Sequence, residues 1–232
     1  MHEPIELISI DAYGTIFDMG AIYHTATRAV LDRLAPHLPE VDFSSAWSRR
    51  FNDHYHATTD CEPPTAAFPT ISALTAYALD ETLREFAVSS PNGSAVGTAI
   101  WMDHLSRVPL YPDVHAALVA LSGRFRLILT SDSDEAIIGP ALARHQLPFE
   151  RIFVSETCRS YKMARRDGLL ELAIRRAEVP PARVIHVGDS AADLIAAQRA
   201  GCRGVWIRRP GHPDPGHPPW RTIASLHDLA AL

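Results

Sequence analysis

Ile5-Glu6-Leu7-Ile8-Ser9-Ile10-Asp11-Ala12-Tyr13-Gly14-Thr15-Ile16-Phe17-Asp18 carries a mostly apolar, β-branched run that ends on an acid and then meets a glycine turn. Such a run suits a strand buried in a parallel sheet, and residues 5–10 are predicted to form it. Asp11 then stands at the strand's carboxyl end, the edge where open α/β sheets bind their ligands. The partners this strand needs lie far along the chain, at 125–130, 151–154, 183–187 and 204–207. Helical patterns at about 113–122, 134–145, 167–178 and 191–200 separate them, and this alternation argues a parallel sheet with helical crossovers.

Between residues 21 and 107 no strand-like alternation occurs. A helix over 21–35 follows from Ile22, Ala26, Ala29, Val30, Leu31 and Leu34, and it stops before Pro36. A second is expected after Ser44 or Ser45 as cap, with Trp47, Phe51 and Tyr55 at steps of four. A third lies within 65–88, where Ile71, Leu74, Ala78 and Leu79 give one apolar face, and a fourth over about 94–105. Val108-Pro109-Leu110-Tyr111-Pro112 closes the segment. Because the first strand can pair only with the later sheet, the helices are an insertion. The expected class is therefore α/β, with a catalytic core from 1–17 and 108–232 and a helical bundle at 18–107 inserted in it. The stretch 208–219, rich in Pro, Gly and His, reads as loop.

The chain has 232 residues, 47% of them hydrophobic, which is enough for a sizeable core. With 21% charged residues and a net charge of -5 there is no basic footprint for nucleic acid or for an anionic membrane. No apolar run approaches the roughly 18 residues of a membrane span. Cys61, Cys158 and Cys202 have neither zinc nor disulfide spacing, so a reducing cytoplasm is the expected location. A small anionic substrate is the expected partner, and oligomeric state is left open, a homodimer included.

Three further strand ends each deliver polar residues. Thr130-Ser131-Asp132-Ser133 ends the second strand, the loop after 151–154 leads to Lys162, and 183–187 runs into Gly188-Asp189-Ser190-Ala191-Ala192-Asp193. In a parallel sheet all of them meet Asp11 on one edge. An aspartate there can attack phosphorus or a carbon bearing a leaving group and form an ester, dividing one hard substitution into two easier ones. Lys162 balances carboxylate and substrate charge. Thr130 and Ser131 are placed to bind an oxyanion, although Ser131 reads more readily as a helix cap. Asp189 supplies the hard oxygen that Mg²⁺ requires, and Asp193 is a further ligand, an outer partner, or the lysine's counter-ion. Arg49, on the second inserted helix with Arg50 and His54, is a candidate for reading the substrate's anionic group.

Asp11-Ala12-Tyr13-Gly14-Thr15, Thr130, Lys162 and Gly188-Asp189-Ser190-Ala191-Ala192-Asp193, in this order, resemble the haloacid dehalogenase (HAD) superfamily. The resemblance implies a Rossmann-like core with a helical cap inserted between the first and second motifs. It implies a catalytic set of Asp11, Tyr13, Thr15, Thr130 and Lys162, and a metal set of Asp11, Tyr13, Asp189 and Asp193. Two branches compete. Phosphatases of the family usually carry a second aspartate two residues after the nucleophile, where this chain has Tyr13. The first motif resembles instead the (S)-2-haloacid dehalogenases, whose halide needs no proton to leave. A missing general acid, worth about 10²–10⁴-fold, is tolerable there and harmful to ester hydrolysis.

Other positions depart from the dehalogenase pattern. Ser48 follows Trp47 where an arginine is usual, Gly168 and Ala192 replace a tyrosine and a tryptophan, and those enzymes lack the Gly188-Asp189 pair. Met163 replaces the proline that follows the lysine in both branches. Asp18 and His24 are near enough to the nucleophile turn to stand in for the missing acid. The fourth motif tips the expectation to a magnesium-dependent phosphohydrolase of a small metabolite. A metal-independent (S)-2-haloacid dehalogenase is the alternative, and a catalytically silent ligand- or partner-binding protein is a second one.

Overall fold

The computed structural model describes residues 3–60 and 68–232. Cys61 and residues 65–67 of the interval expected to hold the third helix lie outside them. Strands β1 (Leu7–Ile10), β2 (Arg126–Ser131), β3 (Arg151–Val154), β4 (Val184–Gly188), β5 (Arg203–Ile207) and β6 (Arg221–Ile223) form one parallel sheet in the order β3-β2-β1-β4-β5-β6. β1 lies between β2 and β4, with Leu7 opposite Arg126 and Val184, and Ile10 opposite Leu129 and Val187. That register brings Asp11 and the ends of β2 and β4 to one edge of the sheet.

Every residue of β1 is buried because both sheet faces are covered. Successive side chains point to opposite faces. Ile8 and Ile10 pack with α5 (Val114–Ser122) and α6 (Glu135–Ala143), while Leu7 packs with α8 (Leu169–Ala177) and α9 (Ala191–Arg199). The short helix α7 (Ser155–Cys158) follows β3. Four helices, α1 (Tyr23–Leu34), α2 (Glu40–Asp60), α3 (Ile71–Glu85) and α4 (Gly93–Leu105), form the inserted cap around Val30, Leu31, Phe43, Trp47, Ala78 and Leu79. Core and cap meet at Asp134, whose carboxylate accepts the α3 N–H groups of Ile71 (2.9 Å) and Ser72 (2.8 Å) and the Ser72 hydroxyl (2.5 Å). An acid at a helix start satisfies donors the helix cannot.

Two expectations are corrected. α2 begins at Glu40, because the Pro39 carbonyl already accepts the Phe43 N–H (3.2 Å) and Glu40 and Asp42 put charge in the first turn. Ser44 is no cap, since its hydroxyl donates back to the Val41 carbonyl at 3.1 Å. Beyond the loop, the tail adds β6 and a 3₁₀ stretch at Leu226–Ala231, elements too short to show a period.

Candidate active site

Asp11 directly follows β1, and its N–H donates to the Val187 carbonyl at 2.9 Å, so the sheet holds the backbone on which the carboxylate stands. The Lys162 ammonium donates to one oxygen of Asp11 and, at 2.6 Å, to Asp193 Oδ1. All three side chains are buried. The lysine loop closes without a proline: the Lys162 N–H donates to Asp132 Oδ1 (3.0 Å), the Ser160 hydroxyl to the Asp167 carbonyl (2.8 Å), and the Leu169 N–H to the Tyr161 carbonyl (3.1 Å).

Asp193 is surrounded by donors. Oδ1 meets Lys162 and His186 Nε2 (3.1 Å), and Oδ2 accepts the Ser190 N–H (3.1 Å) and hydroxyl (2.5 Å). Burial pushes the His186 imidazole down, which favours its neutral form. An ionised Asp193 can only accept, so His186 donates from Nε2 and its Nδ1 accepts from Ser9 Oγ at 2.9 Å. Ser9 in turn meets the Thr130 hydroxyl at 2.8 Å. Gly188 makes this approach feasible, since a Cβ there would stand 2.1 Å from Asp193 Cγ.

Asp189 accepts the Thr15 hydroxyl at 3.0 Å and faces His212 Nδ1 at 2.8 Å. Gly14, at φ +89°, lies under it, and a Cβ would come 2.5 Å from Asp189 Oδ2. Asp11, Asp189 and Asp193 each bring an oxygen within 4.8 Å of the others'. The crowding has an electrostatic consequence. Burial pushes the Asp11 carboxyl up to about 8, with Asp193 and Asp189 adding to the rise and Lys162 opposing it. Burial opposes the charge on Lys162, yet Asp11, Asp193 and Asp132 together hold its ammonium well above the usual range. Asp193 moves the other way: Lys162 and His186 overcome burial and hold it well below the ordinary carboxylate value. Hard oxygens converging with surplus negative charge fit a divalent cation such as Mg²⁺.

A cavity of about 510 Å³ opens over these groups. Asp11, Tyr13, Ser131, Asp132, Lys162 and Asp189 line it from the core, and Tyr23, Trp47, Phe51, Tyr55 and Trp101 from the cap.

The structure brings Asp11, Tyr13, Ser131, Lys162, Asp189 and Asp193 to this cavity, with Thr15 behind Asp189. Two candidates fall elsewhere. Thr130 is fully buried, its hydroxyl turned to Ser9, so it supports the polar layer under the site and does not face an anion. Arg49 is more than half exposed and directed to Glu85 on α3, while Arg50 bonds Glu81 and Glu85. Burial pushes the Tyr13 hydroxyl well above the ordinary phenol value. Asp18 caps its own turn at the Ala21 N–H, and His24 pairs with Glu40.

Several contacts of the site escape sequence reading. Asp132, whose carboxyl burial raises, accepts the Tyr55 hydroxyl at 2.5 Å and so joins cap to core. His212 and Arg209 come from the loop after β5, and the Arg209 guanidinium holds the Thr15 carbonyl at 2.7 Å. The available signal was Arg208-Arg209 leaving a strand at the ligand-binding edge.

A family model described as haloacid dehalogenase-like hydrolase matches residues 5–201. No curated protein matches the sequence. Among solved structures, the L-2-haloacid dehalogenase from Xanthobacter autotrophicus is 17% identical with TM-score 0.76, covering 98% of each chain. The L-2-haloacid dehalogenase RSc1362 is 22% identical with TM-score 0.79, covering 99% of this chain and 98% of its own. The HAD-hydrolase YfnB from Bacillus subtilis, solved bound to magnesium, is 18% identical with TM-score 0.80, covering 99% of this chain and 98% of its own. At such identities the likeness is one of fold.

Proposed function

Because the chain belongs to the haloacid dehalogenase-like hydrolases, we propose that it is a magnesium-dependent phosphohydrolase of a small metabolite, acting through an aspartyl phosphate on Asp11. Residues 1–17 and 108–232 form its catalytic core, and 18–107 the cap that selects the substrate. The observation that carries this reading is the meeting of three carboxylates beside a single ammonium. A nucleophile must be ionised, yet the Asp11 carboxyl is pushed up to about 8. A divalent cation held by Asp11 and Asp189, with the Tyr13 main chain beside them, would supply the missing positive charge to nucleophile and phosphoryl group alike.

The protein's own groups do the rest. Asp11 attacks phosphorus, and Lys162, fixed by Asp193, neutralises charge on the nucleophile and the transferring oxygens. Thr15 and His212 orient Asp189. Ser131 stands at the carboxyl end of β2 within reach of an anion.

Tyr13 favours a second reading, (S)-2-haloacid dehalogenation, since a halide leaves unprotonated. Among the described residues, however, the cavity presents Ser48 and no arginine for a substrate carboxylate. A phosphoester panel assayed with Mg²⁺ and again with EDTA decides between them. Magnesium-dependent phosphate release is expected; chloride release from (S)-2-chloropropionate in EDTA, with every phosphoester inert, would reverse the assignment.

A further inference from the structure

We propose that the ester cleaved at this site is that of a phenol or an enol with an apolar body, an inference resting on the phosphohydrolase reading above. Two independent observations meet in it. The first is the cap wall. Trp47 and Trp101 lie with ring centroids 5.1 Å apart, Tyr23 stands edge-on to Trp101 at 5.6 Å, and Phe51 stacks on Tyr55 at 6.3 Å. Three polar tips of this wall already have partners: the Tyr23 hydroxyl with Ser48 Oγ (2.9 Å), Trp47 Nε1 with the Thr75 carbonyl (3.3 Å), and the Tyr55 hydroxyl with Asp132. The rest of the cap lining is mostly carbon, from the rings with Ile71 and Leu105, against the polar groups of Ser48, Asn52 and Thr75. A sugar or nucleotide needs partners for its hydroxyls or charges, and a site that leaves them unpaired rejects it. A flat apolar group needs only ring faces.

The second observation is Tyr13. The residue two positions past the nucleophile bears a phenol and no carboxyl group, and Asp18 and His24 are engaged away from the cavity. Without a carboxyl group there to protonate it, a leaving alcohol would depart as alkoxide, the conjugate base of an acid about as weak as water. A phenol, at about 10, departs as phenolate far more readily.

The balance closes without an enzymic acid. An Asp11 oxygen forms a bond to phosphorus as the aryl O–P bond breaks, and the electron pair leaves on the phenolate. Water then attacks the aspartyl phosphate, regenerating the Asp11 carboxylate and releasing dihydrogen phosphate, which passes a proton to the phenolate in solution.

The test is a set of phosphomonoesters with the full chain and Mg²⁺ at pH 7. Phenyl and 2-naphthyl phosphate should exceed glucose 6-phosphate, glycerol 3-phosphate and cyclohexyl phosphate at least 100-fold in kcat/KM. Rates among substituted phenyl phosphates should climb with the acidity of the phenol. Tyr13→Asp should raise the cyclohexyl ester at least tenfold and flatten that climb. Binding gives a second readout: with Asp11→Asn protein, phenylphosphonate should quench tryptophan fluorescence at concentrations at least tenfold below methylphosphonate. Polyol phosphates cleaved as fast as aryl ones, or equal affinity for the two phosphonates, would overturn the aryl assignment and leave the phosphohydrolase standing. Inert phosphoesters with chloride released from (S)-2-chloropropionate would remove both.

Discussion

The two walls of the cavity are built on opposite principles. On the core side the carboxylates and the ammonium are held by ion pairs and hydrogen bonds: Lys162 between Asp11 and Asp193, Asp193 among four donors, Asp189 between Thr15 and His212. On the cap side five aromatic rings face the same space while Arg49 and Arg50 turn away to Glu81 and Glu85. Buried charge held in fixed geometry stabilises a transition state, and carbon surface selects by shape and by excluding polar groups. Reaction and selectivity are thus separable here, and substitutions on the two walls should fail differently.

The largest effect is expected on the core wall. Asp11→Asn removes the nucleophile and should lower turnover by at least about 10⁴-fold, as losing one member of a catalytic unit does. Phosphate release in a single turnover measures it, and phenylphosphonate binding should survive because the cap wall is untouched. A loss of both would mean that the walls are not separable.

The same residue predicts a pH dependence in metal-free protein. Its folded-state pKa, about 8, lies above the ordinary 3.8, so the fold prefers its protonated form. Its contribution to stability is fully present below pH 4 and is lost as pH rises through 8. Asp193 works in the opposite sense, contributing above its ordinary pKa and losing that contribution only in acid. The melting temperature of Asp11→Asn should therefore gain on wild type between pH 5 and pH 8, by several degrees. A constant difference across that range would show that Asp11 carries no excess repulsion.

Ser48→Arg, on the cap wall, should act more weakly and in another parameter. Ser48 is exposed at the cavity rim and holds the Tyr23 hydroxyl. An arginine there adds a cation among the rings, so KM for phenyl phosphate should change by about tenfold or less, the scale of one altered contact in an apolar pocket. For an aryl phosphate bearing a carboxylate, kcat/KM should rise. Steady-state kinetics on the two substrates measure this, and a fall in kcat for both would place Ser48 with the chemistry.

The core wall was readable because period and register determine it. Once β1 is a buried parallel strand, the acids and hydroxyls at neighbouring strand ends must share its edge. Thr130 shows the limit of that argument: β2 runs on to Ser131, so Thr130 still belongs to the sheet and meets Ser9 beneath the site. Arg49 shows another. Trp47, Phe51 and Tyr55 recur every four residues on the cavity face of α2, whereas Arg49 is two residues past Trp47, at about 100° per residue on the far side. His212 lies in a Pro- and Gly-rich loop without any period, and only the folded chain reveals its contact with Asp189. Likewise Asp132 and Tyr55 are 77 positions apart, and no local pattern links them.

That last pair is where the walls touch, and the smallest effect belongs there. The Tyr55 hydroxyl donates to Asp132 Oδ2 at 2.5 Å, while Oδ1 of the same carboxylate accepts the Lys162 N–H at 3.0 Å. Tyr55→Phe keeps the ring in the cap wall and removes only the donor, leaving a buried carboxylate oxygen without it. The cost should be about 1–3 kcal/mol of stability, read as a fall of several degrees in melting temperature. Turnover should fall no more than about threefold, because the Asp132 bond that holds the lysine loop remains. A 100-fold fall would mean that Tyr55 meets the substrate through its hydroxyl. An unchanged melting temperature would mean that water replaces the hydroxyl, and that cap and core are joined chiefly by Asp134 at the start of α3.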